Sequence, residues 1–375
     1  MTPVNSLSIP ALRRGAVLVI ALVAAQLPGG AAAQSAPAAQ PTAAPALRSD
    51  FVRNQTLIGA AIYAPAFAST FAKDGVAWTA GYMLVAGGSF VASAEISRRI
   101  AITNPMQRLA TGLPVRGAVA GLIAGSVTDA GDRATAVSVL LGSVGGTAAA
   151  LTLGKPMNDG EAAATLLGSD LLGLTALGIA TAAGVEEATG RHRVRGGLAL
   201  AGMIVGAPLG HAYAALAPYH VSPGDLTAMT AAAGIGMLAG LSFVTPYPTD
   251  REAATALTVG GLAGVFAGDR FFVRRYDHSP GEGRLVAVGA IAGGLMGAGA
   301  TLLVRGEDAD FDIGTGLTMT AGAAGGMALA HRYMRPKGDG GLRTAGLSLN
   351  PIGVVAALSG LGGGRNSYTI GSFRF

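Results

Sequence analysis

Few residues of this 375-residue chain are of types that could do chemistry, and three of them interrupt long apolar segments. Asp170 lies within Ala162–Val185, Arg116 within Leu109–Thr128 and His211 within Gly196–Leu216. Ionisable groups in such surroundings serve ion or proton paths, or pair with one another. Asp170 and Arg116 would give a polytopic channel or transporter its polar path; as a buried ion pair they would join two helices. His192, His220, His278 and His331 lie at or near loops, tens of residues apart, without H-E-x-x-H or another ligand spacing, so no metal site is expected. Gly145-Gly146 and Gly362-Gly363-Gly364 have no G-x-x-x-x-G-K-[ST] around them and are not phosphate loops. There is no Cys and no G-x-S-x-G, so neither a nucleophile, a cofactor nor an enzymatic activity is expected.

The elements that carry these residues follow from composition. Half of the residues are apolar, 59 are Gly, only 5% are aromatic and 13% are charged, and the mean hydropathy is +0.49. Ordinary soluble domains are about 25% charged. Residues 1–33 have the form of a secretory signal: Arg13 and Arg14, an apolar run from Gly15 to Leu27, then Ala31-Ala32-Ala33 before Gln34. Residues 34–48 are rich in Ala and Pro and read as a flexible linker. The basic residues are scattered without interleaved aromatics, which excludes nucleic acid as a partner.

Residues 49–340 hold ten apolar segments arranged in pairs. Each pair opens on a helix-start signal: Ser49-Asp50, Thr103-Asn104-Pro105, Asn158 to Glu161, Ser222 to Asp225, and Ser279-Pro280-Gly281-Glu282, with a sixth at Pro336 to Asp339. Successive signals are 54, 55, 64, 57 and 57 residues apart, the length of one helical hairpin with its turns. Ala-rich segments of this length without alternation are helices rather than strands. The expected fold is therefore all-α, a tandem array of about five Gly/Ala-rich hairpins, ending in a strand-like tail at 341–375.

Lipid is the expected surroundings. Five interior glycines in Leu285–Val304 would weaken a soluble helix by about 5 kcal/mol, roughly 1 each. In a membrane, small residues four apart let helix backbones touch, and Gly289, Gly293 and Gly297 are expected to line such a contact. Charge complicates an inner-membrane topology. With a cleaved signal the within-pair turns would face the cytoplasm, yet they hold seven Lys/Arg against twelve in the opposite loops.

The chain ends Tyr-Thr-Ile-Gly-Ser-Phe-Arg-Phe, which resembles the C-terminal strand of bacterial outer-membrane proteins. From Gln55 to Phe375 the pattern of acidic turns, G-x-x-x-G-like helices and a short aromatic tail resembles a type of Gly/Ala-rich, signal-bearing bacterial envelope protein. That resemblance implies export to the cell envelope and no activity, and the tail favours the outer membrane over the inner. The expected role is structural or scaffolding, with membrane lipid, self-association or other envelope proteins as partners.

Overall fold

The structure is a computed structural model; it describes residues 43–185, 191–244, 248–305, 312–334, 346–349 and 371–374. The signal at 1–33 and the linker up to 42 lie outside the described residues. Among the described residues ten helices follow in order. Helix α1 comprises Ala43–Ile58, a π-helical turn Gly59–Tyr63, and Ala64–Phe71. Then come α2 (Gly75–Arg99), α3 (Asn104–Val127), α4 (Asp132–Leu153), α5 (Asp159–Ala182) and α6 (Arg191–Leu216). The series ends with α7 (Pro223–Ser242), α8 (Asp250–Gly268, continued by a π-turn Asp269–Val273), α9 (Pro280–Arg305) and α10 (Ile313–Met334). Helix α1 starts at Ala43, inside the stretch read as linker, because Phe51 is fully buried and Arg48 Nε donates to Ser97 Oγ at 3.1 Å, so this end is tied to α2.

The starts of the helices are written in the sequence. Asn158, Ser222 and Thr249 each accept from the backbone three residues on, while Glu161, Asp225 and Glu252 reach back to the cap's N–H. Ser279 and Glu282 exchange the same two bonds, at 3.4 and 2.7 Å. Asp74 and Thr103 cap α2 and α3 from one side only.

Helices pair as α1–α2, α3–α4, α5–α6, α7–α8 and α9–α10, which is the predicted array of hairpins. The first helix of each hairpin also packs on both helices of the next one. The odd helices thus form a continuous inner row and the even helices flank it. Within the later four hairpins the backbones touch through glycine. Gly117 meets Gly142, Gly168 meets Gly206 and Gly210, Gly236 meets Gly260 and Gly264, and Gly293 meets Gly322 and Gly326. A side chain at any of these positions would run into a carbonyl group of the facing helix. The first hairpin lacks such a ladder and closes through larger groups, with Ser89 against Gly59 and Phe67 against Gly81.

Large apolar side chains point outward instead. Met83, Leu84, Val91, Leu141, Ile204, Leu295, Leu303 and Val304 are more than half exposed. Along the glycine seams the usual soluble arrangement is thus turned inside out, with small residues between the helices and many bulky ones facing outward.

In a separate unit, strands β1 (Gly346–Leu349) and β2 (Gly371–Arg374) pair antiparallel, with Leu347 opposite Phe373. The strand-like character expected of the tail falls on these eight residues; the rest of 341–375 lies outside the described residues.

Candidate functional site

The polar groups of the helical unit are concentrated where one hairpin meets the next, and the array brings together residues about one repeat apart. Arg116 sits halfway along α3 and Asp170 halfway along α5. Arg116 Nε donates to Asp170 Oδ1 at 2.8 Å, and its Nη2 donates to Oδ2, forming a two-pronged pair between the second and third hairpins. Nη1 donates back to Gly112 O at 3.1 Å, so each guanidinium nitrogen is used. The arginine side chain is 10% exposed and the aspartate 34%. Lower on the same boundary Arg108 Nε donates to Asp159 Oδ1 at 3.1 Å. His211 stands apart from the pair; its Nδ1 is buried and has no hydrogen-bond partner among the described residues.

Pro114, two residues before Arg116, explains a second contact. Proline has no N–H, so the carbonyl four residues earlier, that of Ala110, loses its helical donor. Buried Gln55 of α1 supplies the replacement, donating from Nε2 at 2.6 Å. Tyr63 Oη lies 2.5 Å from Thr147 Oγ1 and donates to Gln55 Oε1 at 3.4 Å, closing a small network between the first two hairpins. The interruption is thereby sealed by protein rather than left open for a ligand.

At the inter-hairpin end of the later repeats lie two clusters that spacing to a known motif does not reveal. In the first, Asp269 in the π-turn of α8 accepts from Tyr213 Oη, Tyr219 Oη and Arg274 Nε, each at 2.7 Å. In the second, Asp225 is fully buried and its Oδ1 accepts from His278 N at 2.9 Å and from His278 Nδ1 at 2.7 Å. Those bonds assign the proton to Nδ1, leaving His278 Nε2 to accept from His331 Nδ1 at 3.1 Å. The line ends on His331 Nε2, a buried atom without a partner among the described residues, set against the rings of Phe272 and Tyr276. Burial, reinforced by the neighbouring His278, holds the His331 ring below the ordinary histidine pKa, and Glu282 opposes this weakly.

This line resembles a proton relay in form, yet it meets no nucleophile. Ser222 Oγ donates to the carbonyl of His278 and not to its ring. The sequence reading treated His278 and His331 as isolated loop residues. The signal it passed over is that Asp225, His278 and His331 succeed one another at 53 residues, close to the repeat. His220 lies beside Asp277 at 3.0 Å, a neighbouring exposed pair. The side chain of His192 lies outside the described residues.

Gly289, Gly293 and Gly297 lie on the α9 face turned to α10, against Gly326, Gly322 and Thr318. Among the described residues eight helices, α2 to α9, are long and apolar enough to cross a membrane. Two open surface grooves, of about 870 and 910 Å³, flank the first hairpin, and neither Arg116 nor Asp170 borders them. No family model matches the chain, and no curated protein or solved structure shows significant similarity to it.

Proposed function

We propose that this chain is a non-catalytic, structural membrane protein of the cell envelope, whose hairpins stack into a rigid array and present a bulky apolar exterior to lipid. The observation that carries this reading is the Arg116–Asp170 pair. It sits at mid-height between two apolar helices with every prong satisfied, so it acts as a fastener between hairpins. A conducting site would need at least one of the two groups turned toward a continuous aqueous path. The glycine ladders and the sealed carbonyl of Ala110 support the same reading, since both close backbone that a transporter would leave open for substrate.

The test is a flux assay. Purified full-length chain reconstituted into liposomes should leave a proton or potassium gradient as long-lived as in empty vesicles. Dissipation of the gradient that vanishes in Asp170→Asn would replace this reading by the channel or transporter one.

A further inference from the structure

We propose that the inter-hairpin end of the last two hairpins is a docking rim for anionic lipid headgroups. The inference rests on the reading of the chain as membrane-embedded. At this end α8 finishes, α9 begins and α10 finishes, and the His278–His331 contact together with the packing of Phe272 on the His331 ring holds the three ends side by side. Arg270 and Arg275 leave the end of α8, and Arg332 leaves the end of α10; all three are exposed. None of them has a carboxylate partner among the described residues, in contrast to Arg274, which is held by Asp269. Two large aromatic side chains stand with them. Phe271 is 55% exposed and lies under the Arg275 guanidinium at 5.7 Å, and Tyr333 is 82% exposed.

Exposed arginines beside exposed aromatics, at the end of apolar helices, have the chemistry of a membrane interface. The rings settle at headgroup depth and the guanidinium groups reach phosphate oxygens. Charge complementarity singles out an anionic headgroup over a zwitterionic one, because Arg270, Arg275 and Arg332 have no carboxylate partner among the described residues, while the acids at this end are engaged elsewhere, Asp269 by Arg274, Asp277 by His220 and Glu282 by the Ser279 N–H. At the opposite end of the array arginines stand against acids: Arg193 is paired with Asp129 across the second and third hairpins, and Arg305 with Asp312 across the α9–α10 turn. The end of the last two hairpins that holds Arg270, Arg275 and Arg332 is therefore the one that suits an anionic leaflet.

The probe is dioleoyl phosphatidylglycerol, compared with dioleoyl phosphatidylcholine, added to the full chain in neutral detergent while thermal unfolding is followed. Phosphatidylglycerol should raise the unfolding temperature more than phosphatidylcholine does, and 0.5 M salt should abolish the difference. At about fivefold per arginine near an anionic surface, the triple variant Arg270→Gln/Arg275→Gln/Arg332→Gln should need on the order of a hundredfold more phosphatidylglycerol for its half-maximal shift. Arg133→Gln, at the opposite end, should respond as the parent does. Equal shifts with both lipids in the unaltered chain would overturn the proposal without using any variant, as would an unchanged response in the triple variant. Failure of the membrane reading itself is distinguishable: the chain would then leave the membrane fraction on alkaline carbonate extraction, whatever the lipid.

Discussion

Two glycines of one helix separate packing from propensity. On α9, a Cβ added to Gly293 would lie 2.8 Å from the Gly322 carbonyl carbon and 3.0 Å from Gly326 Cα, where ordinary contact begins at 3.4 Å. The obstacle is backbone and cannot rotate away, so α9 and α10 must part by roughly half an ångström or more, which forfeits about a quarter of each neighbouring contact. Overpacking of this kind is worth about 3 kcal/mol at the upper end of its range. The better helix propensity of Ala returns roughly 1 kcal/mol. Gly293→Ala should therefore destabilise by about 2 kcal/mol. Gly299, six residues on, has nothing within 4 Å of the same added atom. Gly299→Ala should stabilise by roughly 0.5–1 kcal/mol, the propensity gain alone. The assay is unfolding of the full chain in mixed micelles with increasing dodecyl sulfate, followed by circular dichroism. Opposite signs are expected. The reasoning is refuted if both substitutions shift the midpoint in the same direction by similar amounts.

Three further outcomes follow from other parts of the fold. Gln55→Leu leaves the Ala110 carbonyl without a donor and should destabilise by about 1–3 kcal/mol; in a Pro114→Ala background, where the helix supplies its own N–H, the same change should be nearly silent in that unfolding assay. His331, with its pKa depressed in the folded chain, favours the neutral ring there, so stability is full above the ordinary histidine pKa and falls as pH drops through it. Midpoints measured from pH 8 to 5 should decline, and His331→Phe should flatten the slope; a parallel decline in the variant would contradict the assignment. The exported chain should begin at Gln34, and an intact mass that retains residues 1–33 would contradict the signal reading.

The hairpin array was legible because its cues are local. A capping residue, its acidic partner three positions on and the interval to the next such signal all sit in the sequence, as at Ser222/Asp225 and Ser279/Glu282. The contact between Arg116 and Asp170 was half legible. They are 54 residues apart, one repeat, but only the parallel stacking of α3 on α5 turns that interval into proximity. The role of Gln55 was not legible, because it depends on which helix lies over Pro114. Gly293 and Gly299 likewise look alike in the sequence. The facing helix touches one and misses the other, and that depends on the rotation of α9 about its axis. The Asp225–His278–His331 line needed the same repeat arithmetic, applied to residues outside the apolar segments.

The central claim is that Arg116 and Asp170 serve structure, and a double-substitution cycle on the full chain tests it most directly. Arg116→Met leaves the aspartate without its partner, and Asp170→Leu leaves a nearly buried arginine. Loss of one partner from a buried pair is worth about 3–5 kcal/mol, reduced here to about 2–3 because Asp170 is one-third exposed. Replacing both removes the two charges together, and the double variant should return to within about 1 kcal/mol of the parent in the micelle unfolding assay. A double variant as unstable as the sum of the singles would contradict the account.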